Sequence, residues 1–114
     1  MGDFRDLDVY RQYVVVSDAA HDVAAGMASF DRWTIGLELV RAVDSIGANI
    51  AEAYGRGSDA DRRRFLLIAR GSANESEHWI ERAIARNLCD PSLKYEVSRI
   101  GRMLNGLLKT LRAT

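Results

Sequence analysis

The chain has 114 residues, with 16 basic and 16 acidic side chains, one cysteine and one proline. This length fits one domain, and a hydrophobic share of 47% argues against a wholly disordered chain. A single cysteine cannot form an intrachain disulfide, so a reducing compartment, the cytoplasm, is the expected location. No stretch reaches the ~18 consecutive apolar residues of a membrane span, and the polar, acidic N-terminus does not resemble a signal peptide. A net charge of zero argues against a strongly basic nucleic-acid-binding protein, although a local basic patch can exist within a neutral total.

Apolar residues recur at helical spacing along the chain and predict four helices. We place helix one over residues 6–27 and helix two over residues 31–54, where Gly55-Arg56-Gly57 ends it. The apolar arc of helix two covers more than half of its circumference, which is typical of a central helix or a subunit interface. The residues that we expect in an oligomer interface are Trp33, Leu37, Val40 and Val43.

The last two helices carry clear start signals. Helix three spans residues 59–87 and begins after Ser58, a suitable N-cap. Helix four spans residues 91–112, with Asp90 as a cap and Pro91 at the first helical position. Four long amphipathic helices with short connections predict an all-α, up-down-up-down antiparallel four-helix bundle, a single domain over residues 1–114.

Charge is unevenly distributed along the chain. Residues 1–30 hold five Asp against two Arg, whereas residues 91–114 hold five basic residues against one Glu. Three readings stay open for the basic residues: a solvated face, contact with an anion or nucleic acid, or pairing with the acidic first helix of a neighbouring subunit. The basic residues that could contact nucleic acid are Arg62, Arg63, Arg64, Lys94, Arg99, Arg102, Lys109 and Arg112.

Polar residues form a narrow strip on helix two, and helix three offers partners for them. A helix that is buried over most of its girth leaves such groups little water, so they must satisfy one another. We therefore expect a structural polar network of Ser45, Asn49, Glu52, Arg56, Arg70, Ser72 and Glu75.

Two carboxylates of this network are candidates for a catalytic or metal site. Glu52 and Glu75 could in principle do acid–base work or hold a metal in a bundle. The Glu-x-x-His spacing of di-metal bundles occurs only once, at Glu75 and His78, and helix two has no histidine to match it. Cys89 has no base near it in sequence. We expect no catalytic residues, no metal and no cofactor.

Two central segments resemble a known family signature. Residues 41–58 read RAVDSIGANIAEAYGRGS and resemble R-A-x-x-S-I-P-x-N-I-A-E-G-x-G-R followed by serine, while residues 65–75 resemble F-L-x-I-A-x-G-S-x-x-E. This signature belongs to the four-helix-bundle family of proteins encoded in intervening sequences of large-subunit (23S) ribosomal RNA. The opening residues 4–10 and the late residues 103–108 also match. The chain departs from the signature at Gly47, where the family has proline, and at Ala53, where it has glycine.

The resemblance implies assembly rather than catalysis. Members of the family form ring-like homopentamers. A related branch serves diversity-generating retroelements as an accessory protein that binds nucleic acid and the reverse transcriptase through a basic barrel. The expected function is therefore a non-enzymatic, homo-oligomeric scaffold or adaptor. The alternative is a nucleic-acid-binding accessory protein that uses the basic residues of helices three and four.

Overall fold

The computed structural model describes residues 3–111, which form four long helices and no strand. A 3₁₀ turn, Phe4–Asp6, precedes α1 (Asp8–Ala25). Helix α2 is continuous but composite: Ser29–Asp31, a π-helical turn Arg32–Gly36, and Leu37–Tyr54. The other two helices are α3 (Asp59–Ala85) and α4 (Ser92–Leu108). The predicted all-α antiparallel bundle is confirmed.

The helices pack as a closed square, in which α2 and α4 each lie against both α1 and α3. The bundle measures 45 × 19 × 19 Å. At one end, which we call the Met27 end, Met27, Ile35 and Ala83 form a small cluster with Leu88 and Cys89. At the opposite end, the Tyr54 end, α2 passes into α3 and α4 terminates. No helix within residues 3–111 combines the length and the apolar character that crossing a bilayer requires.

One apolar core runs through the length of the bundle. Fully buried Ile and Leu side chains come from α2, α3 and α4, while α1 contributes smaller ones such as Val16 and Ala20. Each buried Leu or Ile contributes about 1.5–3 kcal/mol relative to an exposed position. The largest members of this core are Leu39, Ile46, Ile50, Leu66, Ile80, Ile100 and Leu104. This packing fixes the register of the surface residues discussed below.

The observed helix bounds differ from the predicted ones by a few residues, for local reasons. Leu7 is extended (φ −71°, ψ 136°), so α1 begins at Asp8. Asn87 has a φ of 58°, a left-handed conformation that ends α3 at Ala85. Ser58 Oγ accepts the Asp61 amide at 3.2 Å, and Asp90 Oδ1 accepts the Ser92 amide at 2.8 Å, so both predicted capping residues bind the first turn of their helix.

Candidate functional site

Three hydroxyl side chains and one amide form a compact polar cluster between α2 and α3. Ser45 Oγ and Ser72 Oγ share a hydrogen bond of 2.8 Å, and Asn49 donates to the Ser45 carbonyl at 2.8 Å and to its hydroxyl at 3.2 Å. Ser76 is fully buried and donates to the Ser72 carbonyl at 2.8 Å. Sequence reasoning did not include Ser76, although its four-residue spacing from Ser72 places both on one helix face. This cluster ties α2 to α3.

The remaining charged members of the predicted network do not join this cluster. Glu52 pairs with Arg56 one turn further along the chain, and both are about half exposed. Arg70 turns to α4 and donates to Asn105 Oδ1 at 2.9 Å. Glu75 accepts the Trp79 indole N–H at 3.3 Å. Of the seven residues predicted to form one network, Ser45, Asn49 and Ser72 share the cluster, and the four charged residues form separate local contacts.

The exposed apolar residues of α2 lie in one strip near the Met27 end. Phe30 is 79% exposed, Trp33 67% and Leu37 37%, and Val40 continues the strip half-buried. Large apolar side chains clustered at this exposure are unusual on a protein surface and mark interaction sites. We call these four residues the α2 strip.

A cavity of about 360 Å³ opens beside the α2 strip, between α1 and the π-helical turn. Its walls include Ala24 and Ala25 of α1 together with Trp33, Leu37 and Val40 of α2, and His21 and Arg32 lie at its polar edge. A π turn adds a residue to the helical repeat and rotates the following side chains, and such turns concentrate at functional sites. The spacing of apolar residues in the sequence does not predict this π-helical turn.

Val43 does not belong to this surface. Its side chain is fully buried among the chain's own helices, so its predicted place in an oligomer interface is wrong. The wide apolar arc of α2 has two parts: Val43 lies on the part that faces the core, while Trp33 and Leu37 lie on the part that faces outward.

The three consecutive arginines at the start of α3 point in different directions, because successive helical residues are about 100° apart. Arg62 lies 4.6 Å over the Tyr54 ring and donates to the Ala53 carbonyl at 3.5 Å. Arg64 lies 3.8 Å from an Asp61 oxygen and 4.5 Å over a phenylalanine ring. Arg63 alone turns to α4. These arginines therefore do not form one basic patch.

The basic residues of α4 are also divided. Lys94 lies at the Met27 end and pairs with Glu81 at 2.9 Å, and this hydrogen bond raises the pKa of the lysine. Arg99 and Arg102 are exposed on the outer side of α4, and no carboxylate of residues 3–111 lies within 4.0 Å of either. Lys109 lies at the Tyr54 end beside Arg63 and Arg70. Arg112 is outside the described residues.

Chemically reactive groups are sparse in the described part of the chain. Cys89 is half-buried, and burial first and Asp90 second raise the pKa of its thiol. A thiol with a raised pKa is a poor nucleophile at neutral pH. Within residues 3–111, no three His, Cys, Asp or Glu side chains are grouped as metal ligands.

Comparison with known proteins identifies a family and a solved structure that are similar to this chain. A model of the 23S rRNA-intervening sequence protein family matches residues 5–106. The structure superposes with a TM-score of 0.81 on the crystal structure of a protein of unknown function from the S23 ribosomal protein family of Bacteroides thetaiotaomicron. The two are 25% identical, and the match covers 89% of this chain and 98% of that chain. A search of curated proteins found no match. With its two central motifs, its bundle and nearly its whole length matched, the chain belongs to the 23S rRNA-intervening sequence protein family.

Proposed function

We propose that this protein is a cytoplasmic, non-enzymatic scaffold or adaptor that works as a ring-like homo-oligomer, with five copies as the family resemblance implies. The observation that carries the proposal is the α2 strip beside the cavity between α1 and α2. Burial of apolar surface yields about 25 cal/mol per Å², and Trp33 and Phe30 are the largest exposed contributors on this face. A second copy is the partner that would always be present to cover them.

The opposite side of the bundle offers a complementary contact. Tyr95 on α4 is 73% exposed and, like the α2 strip, lies at the Met27 end. The α2 strip borders α1, whereas Tyr95 lies beside Ile84 and Ala85 of α3, so the two apolar features lie on different sides of the bundle. A head-to-tail contact between two different patches builds a ring when the rotation from one copy to the next closes on itself, and this proposal requires that it does.

Exposed charges of opposite sign on α1 and α4 support contact between these two faces in neighbouring copies. Asp18 and Asp22 of α1 are exposed and stand three residues before His21 and Ala25, which line the cavity. No basic group of residues 3–111 lies within 4.0 Å of either aspartate. Arg99 and Arg102 are exposed on α4 without a carboxylate partner in the same described range. Opposite charges on the two contact faces would fix the register between neighbouring copies.

Native mass measurement tests the proposal. The expected result is a multiple of the 12.7 kDa chain, reduced to a single chain by Trp33→Glu. Ile68→Glu is the matched control, because Ile68 is another exposed apolar residue but lies on α3, away from the strip. If ion pairs contribute, raising the salt to ~1 M should also loosen the assembly. A wild-type protein that stays at 12.7 kDa when concentrated would rule out the assembly.

Nucleic-acid contact is a second candidate function. The exposed guanidiniums of Arg99 and Arg102, which have no carboxylate within 4.0 Å among residues 3–111, favour it. Arginines on an outer helix face can neutralise phosphates and release counterions. A gel-shift titration with generic RNA and DNA at low salt tests this candidate. A shift that the double variant Arg99→Gln, Arg102→Gln loses would support it, whereas no shift at micromolar protein would leave the scaffold role alone.

A further inference from the structure

A groove of about 450 Å³ lies between α3 and α4 near the Tyr54 end, on the side away from the α2 strip. Arg63 and Arg70 line it from α3, and Asn105 and Lys109 line it from α4. Three leucines complete the lining: Leu67, Leu108 and Leu111. Positive groups therefore surround an apolar floor in a concavity of the size that takes small ligands.

The positive charge in the groove has no acidic counterpart among the described residues. Arg63 Nη1 donates to the Leu108 carbonyl at 3.5 Å, and Arg70 Nη1 donates to Asn105 Oδ1 at 2.9 Å, so both acceptors are neutral. A guanidinium has five N–H donors, which leaves most of them available. No carboxylate within residues 3–111 lies within 4.0 Å of Arg63, Arg70 or Lys109.

A purely structural role explains only part of this arrangement. Arg63 contacts the last carbonyl of α4, as basic residues commonly do at helix C-termini, and long basic side chains cover leucines with their apolar stems. Neither role requires Lys109, and like charges around one groove repel each other. The chain holds 16 acidic residues, yet none of those described is used to neutralise this site. An anion bound from solution would do so.

We propose that this groove binds a compact phosphate monoester. Arginine forks match the oxygens of phosphate in pairs, and lysine adds a point charge. Arg63 and Lys109 line the same groove near the end of α4, and we place the phosphate between them. Arg70 lies two turns away, ~10.5 Å along α3, where it and Asn105 face polar atoms of the ligand body. A planar or apolar part of that body rests on the leucines. The proposal does not depend on self-association.

Titration of ¹⁵N-labelled protein with AMP at low salt tests the site, with adenosine as the probe that lacks the phosphate. We expect saturable shifts in the groove with AMP and none with adenosine. Lys109→Gln and Arg70→Gln should each weaken AMP binding about tenfold, the cost of one charge-assisted contact. Arg82→Gln is the matched control, because Arg82 is exposed near the C-terminal end of α3, outside the groove, and losing its charge should leave the affinity within about twofold.

Two further probes separate the sources of such a phosphate. Short oligonucleotides with and without a 5′-phosphate are added to the AMP complex, and competition by the phosphorylated strand alone assigns the groove to a nucleic-acid end. Competition by neither strand assigns it to a free monoester, and both results support a phosphate site. Lys109 is exposed, so the Lys109→Gln variant should fold normally. Its AMP affinity therefore tests the site even if the Arg70→Gln variant does not fold. The proposal fails if AMP gives no saturable shift up to ~10 mM, if adenosine binds equally well, or if Arg82→Gln weakens binding as much as Lys109→Gln.

Discussion

The Tyr13 ring of α1 lies directly on Gly47 of α2. A Cβ placed at position 47 would come within 2.1 Å of Tyr13 Cε2, far inside van der Waals contact. Gly47 is buried in the middle of a continuous helix, where glycine costs about 0.8–1 kcal/mol relative to alanine. The close approach of α1 explains why the chain tolerates that cost. Gly47 stands at the position where the family signature has proline.

Gly47→Ala is therefore expected to destabilise the protein by about 1 kcal/mol, because displacement of the tyrosine outweighs the gain in helix propensity. The effect should change sign when the ring is absent. In a Tyr13→Ala background, Gly47→Ala should stabilise by up to ~1 kcal/mol. Urea unfolding of the two single variants and the double variant measures this coupling. Additive effects of the two substitutions would contradict the contact.

Val43 and Trp33 lie on different sides of α2 and should respond differently to truncation. Val43→Ala leaves a cavity in the core and should lower the free energy of unfolding by about 2 kcal/mol. Trp33→Ala removes a mostly exposed ring, so the stability of a single chain should change by less than ~0.5 kcal/mol while self-association weakens. Urea unfolding at low protein concentration and sedimentation at high concentration separate the two effects. Equal losses of stability would contradict the assignment of Val43 to the core and Trp33 to the surface.

The hydrogen bond between Ser45 and Ser72 predicts a coupled pair. Ser45→Ala removes the hydroxyl to which Ser72 Oγ is hydrogen-bonded, whereas Ser72→Ala leaves the Ser45 hydroxyl with Asn49, and each loss should cost about 1 kcal/mol. Removing both with Ser45→Ala and Ser72→Ala should cost less than the sum of the single losses. A double-mutant cycle of unfolding free energies measures the difference. Ser92→Ala provides a hydroxyl control outside the cluster, on the exposed first turn of α4.

Two half-buried tyrosines predict a loss of stability at high pH. Burial raises the pKa of Tyr13 and of Tyr54 above the ordinary value of 10.0, although Arg62 opposes the shift at Tyr54. A group whose pKa is raised by folding stabilises fully below its unfolded pKa and loses that contribution as pH rises through its folded pKa. The unfolding free energy should therefore fall above pH ~10. The double variant Tyr13→Phe, Tyr54→Phe should fall less steeply, and identical slopes would show that these phenols do not carry the effect.

The sequence predicted the helices well because each apolar stripe and each cap is encoded locally. Ser58 caps α3 as its position indicated. Asp90 accepts the Ser92 amide, but Pro91, predicted at the first helical position, is the N-cap of α4, one residue before the helix begins. Contacts between helices were harder to predict, since they depend on the register between neighbours. Arg70 was expected in a network with Glu75 but reaches Asn105 of α4 instead. Val43 was assigned to the surface because a wide apolar arc does not reveal which part of it the bundle covers.

Asn87 offers a final test of how α3 ends. Its φ of 58° lies in the left-handed region, and the following Leu88 amide donates back to the Ala83 carbonyl at 2.8 Å. Glycine adopts this conformation without steric cost, and asparagine tolerates it better than most other residues. Asn87→Gly should therefore change stability little or raise it by a few tenths of a kcal/mol, whereas Asn87→Ala should lower it by about 1 kcal/mol. Thermal unfolding of the two variants measures the difference, and if Asn87→Ala were the more stable variant, the turn would not be held by this backbone conformation.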